Sequence, residues 1–389
     1  MTLALVLFWL SAAALAYTWV GYPALLRLLR RRPHPARVPR ESAPDVSVII
    51  AAYNEARCIE SKLASTLRAQ RYPPERLEAI VVSDGSTDAT DTLVAAYPDR
   101  RARLIRQEPR SGKSPALNRG VAAARGEVLV FTDANALFAP DAIARLVAPF
   151  ADPEVGLVSG QGLYEAEGGD ARAAASGYVR YEAAIKDGEA ALGFLASADG
   201  AIYAIRRSLY RELAASQVND LLHPIQATLA GYRCRFDGGA YTVEPASSDS
   251  GQELRRHVRI IAQGMHLLRC WLPALVRARR WRAVWMLISH RILRWGTAFF
   301  LLGALTASVA LLDHDALYGV ALAGQLAFYA LAAGGFLAER LGRRLGTLAL
   351  PYFFCTVAVA GVGGLARFLR GGAQAVWAPA GQAMTGRAA

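Results

Sequence analysis

The chain has 389 residues, 53% of them hydrophobic and 20% charged, with a formal net charge of +12. Its mean hydropathy of +0.21 is high for a wholly soluble protein, and its length allows one sizeable domain plus further elements. The positive balance suits an anionic membrane face or nucleic acid, but the basic residues cluster beside apolar segments, which favours the membrane and argues against nucleic acid. Cys58, Cys234, Cys270 and Cys355 are far apart and match no metal or disulfide spacing, so a reducing compartment is the default for the soluble part.

Leu3 to Val20 is apolar and uncharged, about the length that spans a bilayer. Arg27, Arg30, Arg31, Arg32, Arg37 and Arg40 follow it rather than precede it. A cleaved leader needs a basic start, so this reads as an anchor with its N-terminus outside and the next domain in the cytoplasm. Pro33, Pro35, Pro39 and Pro44 make a stiff linker, and residues 1–43 form the anchor and basic linker.

Residues 44–252 alternate strands and helices. Strands are expected at Val46 to Ala52, Ile80 to Val82, Leu104 to Ile105, Val128 to Phe131 and Val155 to Ser159. Helices are expected at Ala56 to Ala69, Thr87 to Ala96, Ser114 to Ala124 and Asp141 to Phe150. This rhythm predicts an α/β domain with a mainly parallel sheet covered on both faces.

Residues 253–290 read as amphipathic. Leu254, Val258, Ile261, Met265, Leu268, Leu272 and Leu275 step by four and three along one helical face, and Pro273 should kink or split the helix. With Trp271, Trp281 and Trp285 nearby, the segment fits the bilayer interface; a helix packed on the domain's own surface is the alternative. Residues 291–389 contain three apolar segments, about Trp295 to Leu312, Ala316 to Leu337 and Gly346 to Ala366. Asp313, His314 and Asp315 suit the outside, and Arg340, Arg343 and Arg344 the inside. The same count puts Arg367 and Arg370 outside, against the positive-inside rule, so either the last segment is re-entrant or one boundary differs. The expected location is a cell inner membrane, multi-pass, with residues 44–252 in the cytoplasm.

The run VLVFTDAN, Val128 to Asn135, ends an apolar strand on Asp133 and Asn135. A lone carboxylate belongs at the exposed carboxyl end of such a strand, where ligands bind in open α/β sheets. Oxygen donors there suit a hard divalent ion bridging to phosphate; an Asp that caps the next helix is the alternative.

Four ordered stretches carry a resemblance: VSVIIAAYNEA (Val46 to Ala56), VVSDGSTDAT (Val81 to Thr90), SGKSPALNRG (Ser111 to Gly120) and FTDAN. Together they resemble a family 2 glycosyltransferase of the GT-A fold, in the membrane-bound bacterial branch that builds polysaccharides or glycolipids. The resemblance covers about residues 44 to 265. It implies that Ala52, Tyr53 and Glu55 hold the donor nucleotide, and that Asp84 binds its uracil or ribose. Glu55 also suits a helix first turn, and Asp88 suits the start of the next helix. Lys113 lies near the phosphates by resemblance, or is a solvated charge. Asp133 and Asn135 stand at the family's DXD motif and imply Mg²⁺ or Mn²⁺, with Asn135 replacing the second acid.

By the same resemblance, Gly200 and Ala201 lie under the donor sugar or acceptor. Asp220 is the candidate base, in a pair where the family has two acids and this chain has Asn219 first. A helix N-cap is the alternative for Asp220, and His223 is a weaker base candidate, followed by Pro224, which suggests a local turn. Gln252, Arg255 and Arg256 stand where processive relatives carry QxxRW; Arg256 replaces the Trp, which argues against a processive polymerase. Tyr178 to Glu189 is expected as a surface helix with a Glu182–Lys186 pair. The implied function is an inverting transfer from a nucleotide-diphosphate sugar, UDP-sugar favoured, to a lipid-linked or polysaccharide acceptor. The alternative is an inactive membrane receptor or scaffold with a degenerate domain.

Overall fold

A computed structural model describes residues 1–30, 43–165, 169–245, 250–343 and 345–371. Pro33, Pro35 and Pro39 of the expected linker, its basic residues Arg31, Arg32, Arg37 and Arg40, and Arg344 lie outside the described residues. The chain forms two compact units: an α/β unit of Pro33–Glu165 and Gly193–Gln252, and a helical unit of Met1–Arg32, Ala166–Leu192 and Glu253–Gly372.

In chain order the first elements are α1 (Thr2–Ala16), α2 (Tyr22–Leu29), β1 (Val46–Ala52), α3 (Ile59–Leu63), β2 (Leu77–Asp84), α4 (Thr90–Ala95) and β3 (Ala102–Gln107). Next come α5 (Lys113–Ala123), β4 (Val128–Asp133), β5 (Leu137–Phe138), α6 (Ala142–Val147), β6 (Val155–Glu165), α7 (Gly169–Ala191), β7 (Tyr203–Arg206), α8 (Asn219–Leu229) and β8 (Arg233–Pro245). The chain ends with α9 (Ser250–Arg277), α10 (Trp281–Leu287), α11 (Leu293–Trp295), α12 (Thr297–Ala310), α13 (Ala316–Arg340) and α14 (Ala349–Leu369).

The eight strands of the α/β unit form one sheet in the order β3-β2-β1-β4-β7-β6-β8-β5. β3, β2, β1 and β4 are mutually parallel, and β6 is parallel to β8. β7 runs against β4 and β6, and β5 against β8, so the sheet is mixed but mainly parallel. Every residue of β1 is buried. Such strands read as unbroken apolar runs because helices cover both faces. The polar exception in β1, Ser47, is fully paired: its hydroxyl donates to Glu78 Oε1 at 2.6 Å and accepts from Gly126 N at 2.8 Å. A Cβ at Gly126 would sit 2.5 Å from Ser47 N, so only glycine lets the chain enter β4 that close to β1.

In the helical unit, Thr2–Leu29, Ala316–Arg340 and Gly346–Leu369 are each long and apolar enough to cross a membrane. Trp281–Trp295 and Thr297–Ala310 pass that test together, bent by 59° at Gly296, where the sequence places the start of one straight segment. α9 runs through Pro273 as a single helix, so of the two expected effects the proline does not split it. Its apolar face meets α14: a Cβ at Gly363 would lie 2.8 Å from Val258, and one at Gly364 2.5 Å from Ile261. Here α9 packs on α14, which is itself long and apolar enough to cross a membrane.

α7 departs from its expected surface role. Ile185 and Glu189 are buried, and Glu182 is ion-paired with Arg294 and His290 rather than serving an exposed Glu182–Lys186 pair. Glu189 Oε1 accepts from Tyr22 Oη at 2.6 Å and lies 2.7 Å from His290 Nδ1. Buried charges persist only when paired and hydrogen-bonded, and this set ties α2, α7 and the 288–294 segment together. Removing residues 1–30 should leave the protein in the membrane fraction, because two full-length apolar helices and the bent pair remain. Release of that truncation into the soluble fraction, measured by ultracentrifugation without detergent, would contradict this reading.

Candidate active site

Register brings the site together. Ala51 of β1 pairs with Asp133 of β4, Ala52 pairs with Ser83 of β2, and Asp84 ends β2 opposite Gln107. The carboxyl ends of three parallel strands therefore align, with Asp84 and Asp133 on either side of the end of β1. β7 is antiparallel to β4, with Phe131 opposite Tyr203, so the chain entering β7, including Gly200 and Ala201, lies at the same edge. Ala52 is buried as the last residue of β1, and Tyr53 and Glu55 follow in the next turn.

That turn is strapped to the loop after β2. Asn54 takes φ of +57°, a left-handed conformation that Asn tolerates better than most residues. Its amide nitrogen donates to Ser86 Oγ at 3.1 Å, and its Oδ1 accepts from Thr87 N at 2.8 Å. Glu55 N donates to Thr90 Oγ1 at 2.8 Å. Asp88 accepts from Thr90 N at 3.0 Å and Ala56 N at 3.1 Å, the expected helix-start role. Burial raises the Glu55 carboxyl above its usual range; the Cys58 thiol opposes this, and the charges of Asp133 and Asp88 add to it.

Asp84 is buried and accepts from Gln107 Nε2 at 2.6 Å, Ser111 N at 2.7 Å and Gly112 N at 2.8 Å. The carboxylate thus sits at the N-terminus of α5, where the helix dipole favours it, and Gly112 accommodates φ of +100°. Asp84 fixes the loop that carries Arg110 and Lys113. Arg110 lies 3.5 Å over the Tyr53 ring, a flat cation–π stack at the end of β1. Sequence reasoning missed Arg110; its signal is a lone cation two residues before the Gly112–Lys113 pair.

Asp133 and Asn135 are both half-buried. They sit in a tight turn closed by Ala136 N donating to Asp133 O at 3.3 Å. Lys113 Nζ is ion-paired with Asp133 Oδ1, so these two expected residues meet. Among the described residues, no group of three or more His, Cys, Asp or Glu could hold a metal. Asp133 and Asn135 offer one carboxylate and one amide oxygen. That donor set fits Mg²⁺ or Mn²⁺ only if substrate phosphate and water supply the rest, the usual mode for such ions.

Asp220 is not the N-cap of α8: Val218 holds that position, and Asp220 lies in the first turn. Gly200 makes room for it, since a Cβ there would sit 3.2 Å from Asp220 Oδ2. Pro224 lies inside α8, not in the turn expected. Proline has no N–H for the carbonyl four residues back, and that carbonyl, Asp220 O, accepts from Ala198 N at 2.8 Å instead. The proline therefore frees the bond that pins the start of α8 to the chain entering β7. Asn219 is buried and donates to Tyr203 Oη at 2.7 Å, which lies 2.8 Å from His223 Nδ1. His223 is fully buried against Phe131 and Tyr210. Burial pushes its pKa down to about 3, so it stays neutral inside an aromatic box. Gln252 lies on α9, and Arg255 and Arg256 are exposed on α9 in the helical unit.

Residues 47–235 match the sequence model of Glycosyl transferase family 2. The α/β unit belongs to that family. It is similar to the succinoglycan biosynthesis protein ExoO of Rhizobium meliloti, 38% identical over 107 residues, covering 28% of this chain and 30% of that protein. It is also similar to the beta-monoglucosyldiacylglycerol synthase of Nostoc sp., 34% identical over 155 residues, covering 39% of this chain and 33% of the synthase. The chain thus spans about a third of the length of these relatives. The mannosyltransferase PcManGT of Pyrobaculum calidifontis, solved with GDP-Man and Mn²⁺, superposes with a TM-score of 0.68 at 24% identity, over 93% of this chain and 99% of that one. That likeness establishes a shared GT-A fold.

Asp133 and Lys113 form a partly exposed pair, and such pairs contribute only about 0–1 kcal/mol to stability. Asp133→Asn should therefore melt within a few degrees of the wild type while losing sugar transfer. Near-normal turnover in that variant, or full wild-type activity in excess chelator, would remove the metal assignment.

Proposed function

We propose that this chain is an inverting glycosyltransferase that moves a sugar from a nucleoside-diphosphate donor to an acceptor hydroxyl at the cytoplasmic face of a membrane. The observation that carries the reading is the meeting of Tyr53, Asp84, Lys113 and Asp133 at one sheet edge, which Gly200 and the start of α8 also adjoin. Tyr53 and Arg110 offer a flat face for the base, and Asp84 holds the loop beside it. Lys113 is the cation available to the diphosphate once it leaves Asp133. UDP-sugar is the first donor to test.

Asp220 acts as the base. A sugar hydroxyl is a poor nucleophile at neutral pH, so its proton must be taken as it attacks. The carboxylate accepts that proton, the acceptor oxygen bonds to the anomeric carbon, and the bond to the diphosphate breaks on the opposite face. One displacement inverts the anomeric centre. A divalent ion held by Asp133 and Asn135 supplies Lewis-acid stabilisation of the leaving diphosphate when bound. His223 has no part in proton transfer, since its Nδ1 faces Tyr203 within the aromatic box.

The acceptor is a membrane lipid or a lipid-linked glycan. Three long apolar helices support this, as do relatives named for a glucosyldiacylglycerol and for succinoglycan. Arg256 in place of the processive tryptophan favours single transfer. The test is paired, on one preparation of Asp220→Asn. Donor binding should be retained while transfer falls about 100- to 10,000-fold, the usual effect of losing a positioned base. Transfer within a few-fold of wild type would mean that Asp220 is not the base.

A further inference from the structure

Lys62 is the one fully buried lysine among the described residues. It lies on α3, the helix that follows β1, with its side chain inside the sheet-helix core. Its Nζ donates to Thr132 Oγ1 at 2.7 Å and to the carbonyl of Ala136, and it lies 3.8 Å over the Phe138 ring. Thr132 immediately precedes Asp133, and Ala136 immediately follows Asn135. One side-chain nitrogen therefore grips both sides of the three residues, Asp133 to Asn135, that present the two oxygen donors.

A solvated lysine needs no such site, and burying one is unfavourable unless its hydrogen bonds are made. A methionine would fill the same space but would leave the Thr132 hydroxyl and the Ala136 carbonyl without this donor. Both its protonated and neutral forms can donate to two acceptors, so the grip does not depend on its charge state.

We propose that Lys62 is a positioning residue for the donor diphosphate, holding the Asp133–Ala136 turn from behind so that Asp133 and Asn135 keep the geometry that a bridging divalent ion requires. The proposal rests on the donor-site reading above. Groups that orient ligands from behind typically change metal affinity about 10- to 100-fold when removed.

The test uses detergent-purified full-length protein, titrated with UDP and GDP, with and without Mn²⁺, and with UMP and GMP. Thermal midpoints are recorded alongside. In Lys62→Met the midpoint should fall, because two buried acceptors lose their donor, while monophosphate affinity should match wild type in the protein that remains folded. The Mn²⁺-dependent gain in diphosphate affinity should fall at least about tenfold. A variant that keeps the full gain overturns the proposal. If Lys62→Met fails to fold, Thr132→Val removes one of the two acceptors and reads the same quantity: a several-fold loss supports the grip, and no loss overturns it. A wild type with no Mn²⁺-dependent gain for either diphosphate overturns the donor-site reading, and this proposal with it.

Discussion

Three parallel strands end side by side, and each runs out of apolar residues where it leaves the core. The register of β1 with β2 and β4 fixes Asp84 and Asp133 on either side of the turn after Ala52. Little in the site is free to choose its place once that register is set. A slip by one residue would turn every strand side chain to the other face and would part the buried Ser47 hydroxyl from Glu78 and Gly126. β7 enters from the opposite direction, which is why a segment distant in sequence arrives at the same edge.

Electrostatics at that edge is arranged around acids that are held in different ways. Asp84 is buried and occupied by three hydrogen bonds, so it shapes the loop that carries Arg110 and Lys113. Asp133 is more open and meets a single lysine, a contact an incoming anion can exchange. Asn135 in place of a second acid lowers the negative charge on the turn, so in the proposed reading more of the task of attracting a divalent ion falls to the substrate phosphates. Lys62 meets the same turn from inside, through Thr132 and Ala136.

Most of the α/β unit was legible because strands buried on both faces leave uninterrupted apolar runs. β1 spans Val46–Ala52 and β4 starts at Val128, as the sequence indicates. What was hidden depends on contacts distant in sequence. Glu182 and Lys186 have the spacing of an exposed helix pair, yet Glu182 meets Arg294 and His290 from a segment more than a hundred residues later. Pro224 reads as a turn signal, but helix α8 passes through it because Asp220 O finds Ala198 N instead. In sequence Asp220 is the candidate base with a helix cap as the alternative, and Val218 takes the cap position. Lys62 is one lysine on an amphipathic helix, and nothing local distinguishes it from a solvated one.

The most direct test of the central claim is anomalous diffraction from crystals grown with Mn²⁺ and a nucleoside diphosphate. The account requires a manganese peak within coordination distance, about 2–2.5 Å, of the Asp133 carboxylate, with Lys113 displaced from that carboxylate and the base against Tyr53. A manganese peak away from Asp133, or nucleotide bound elsewhere with the Lys113–Asp133 pair intact, would contradict it.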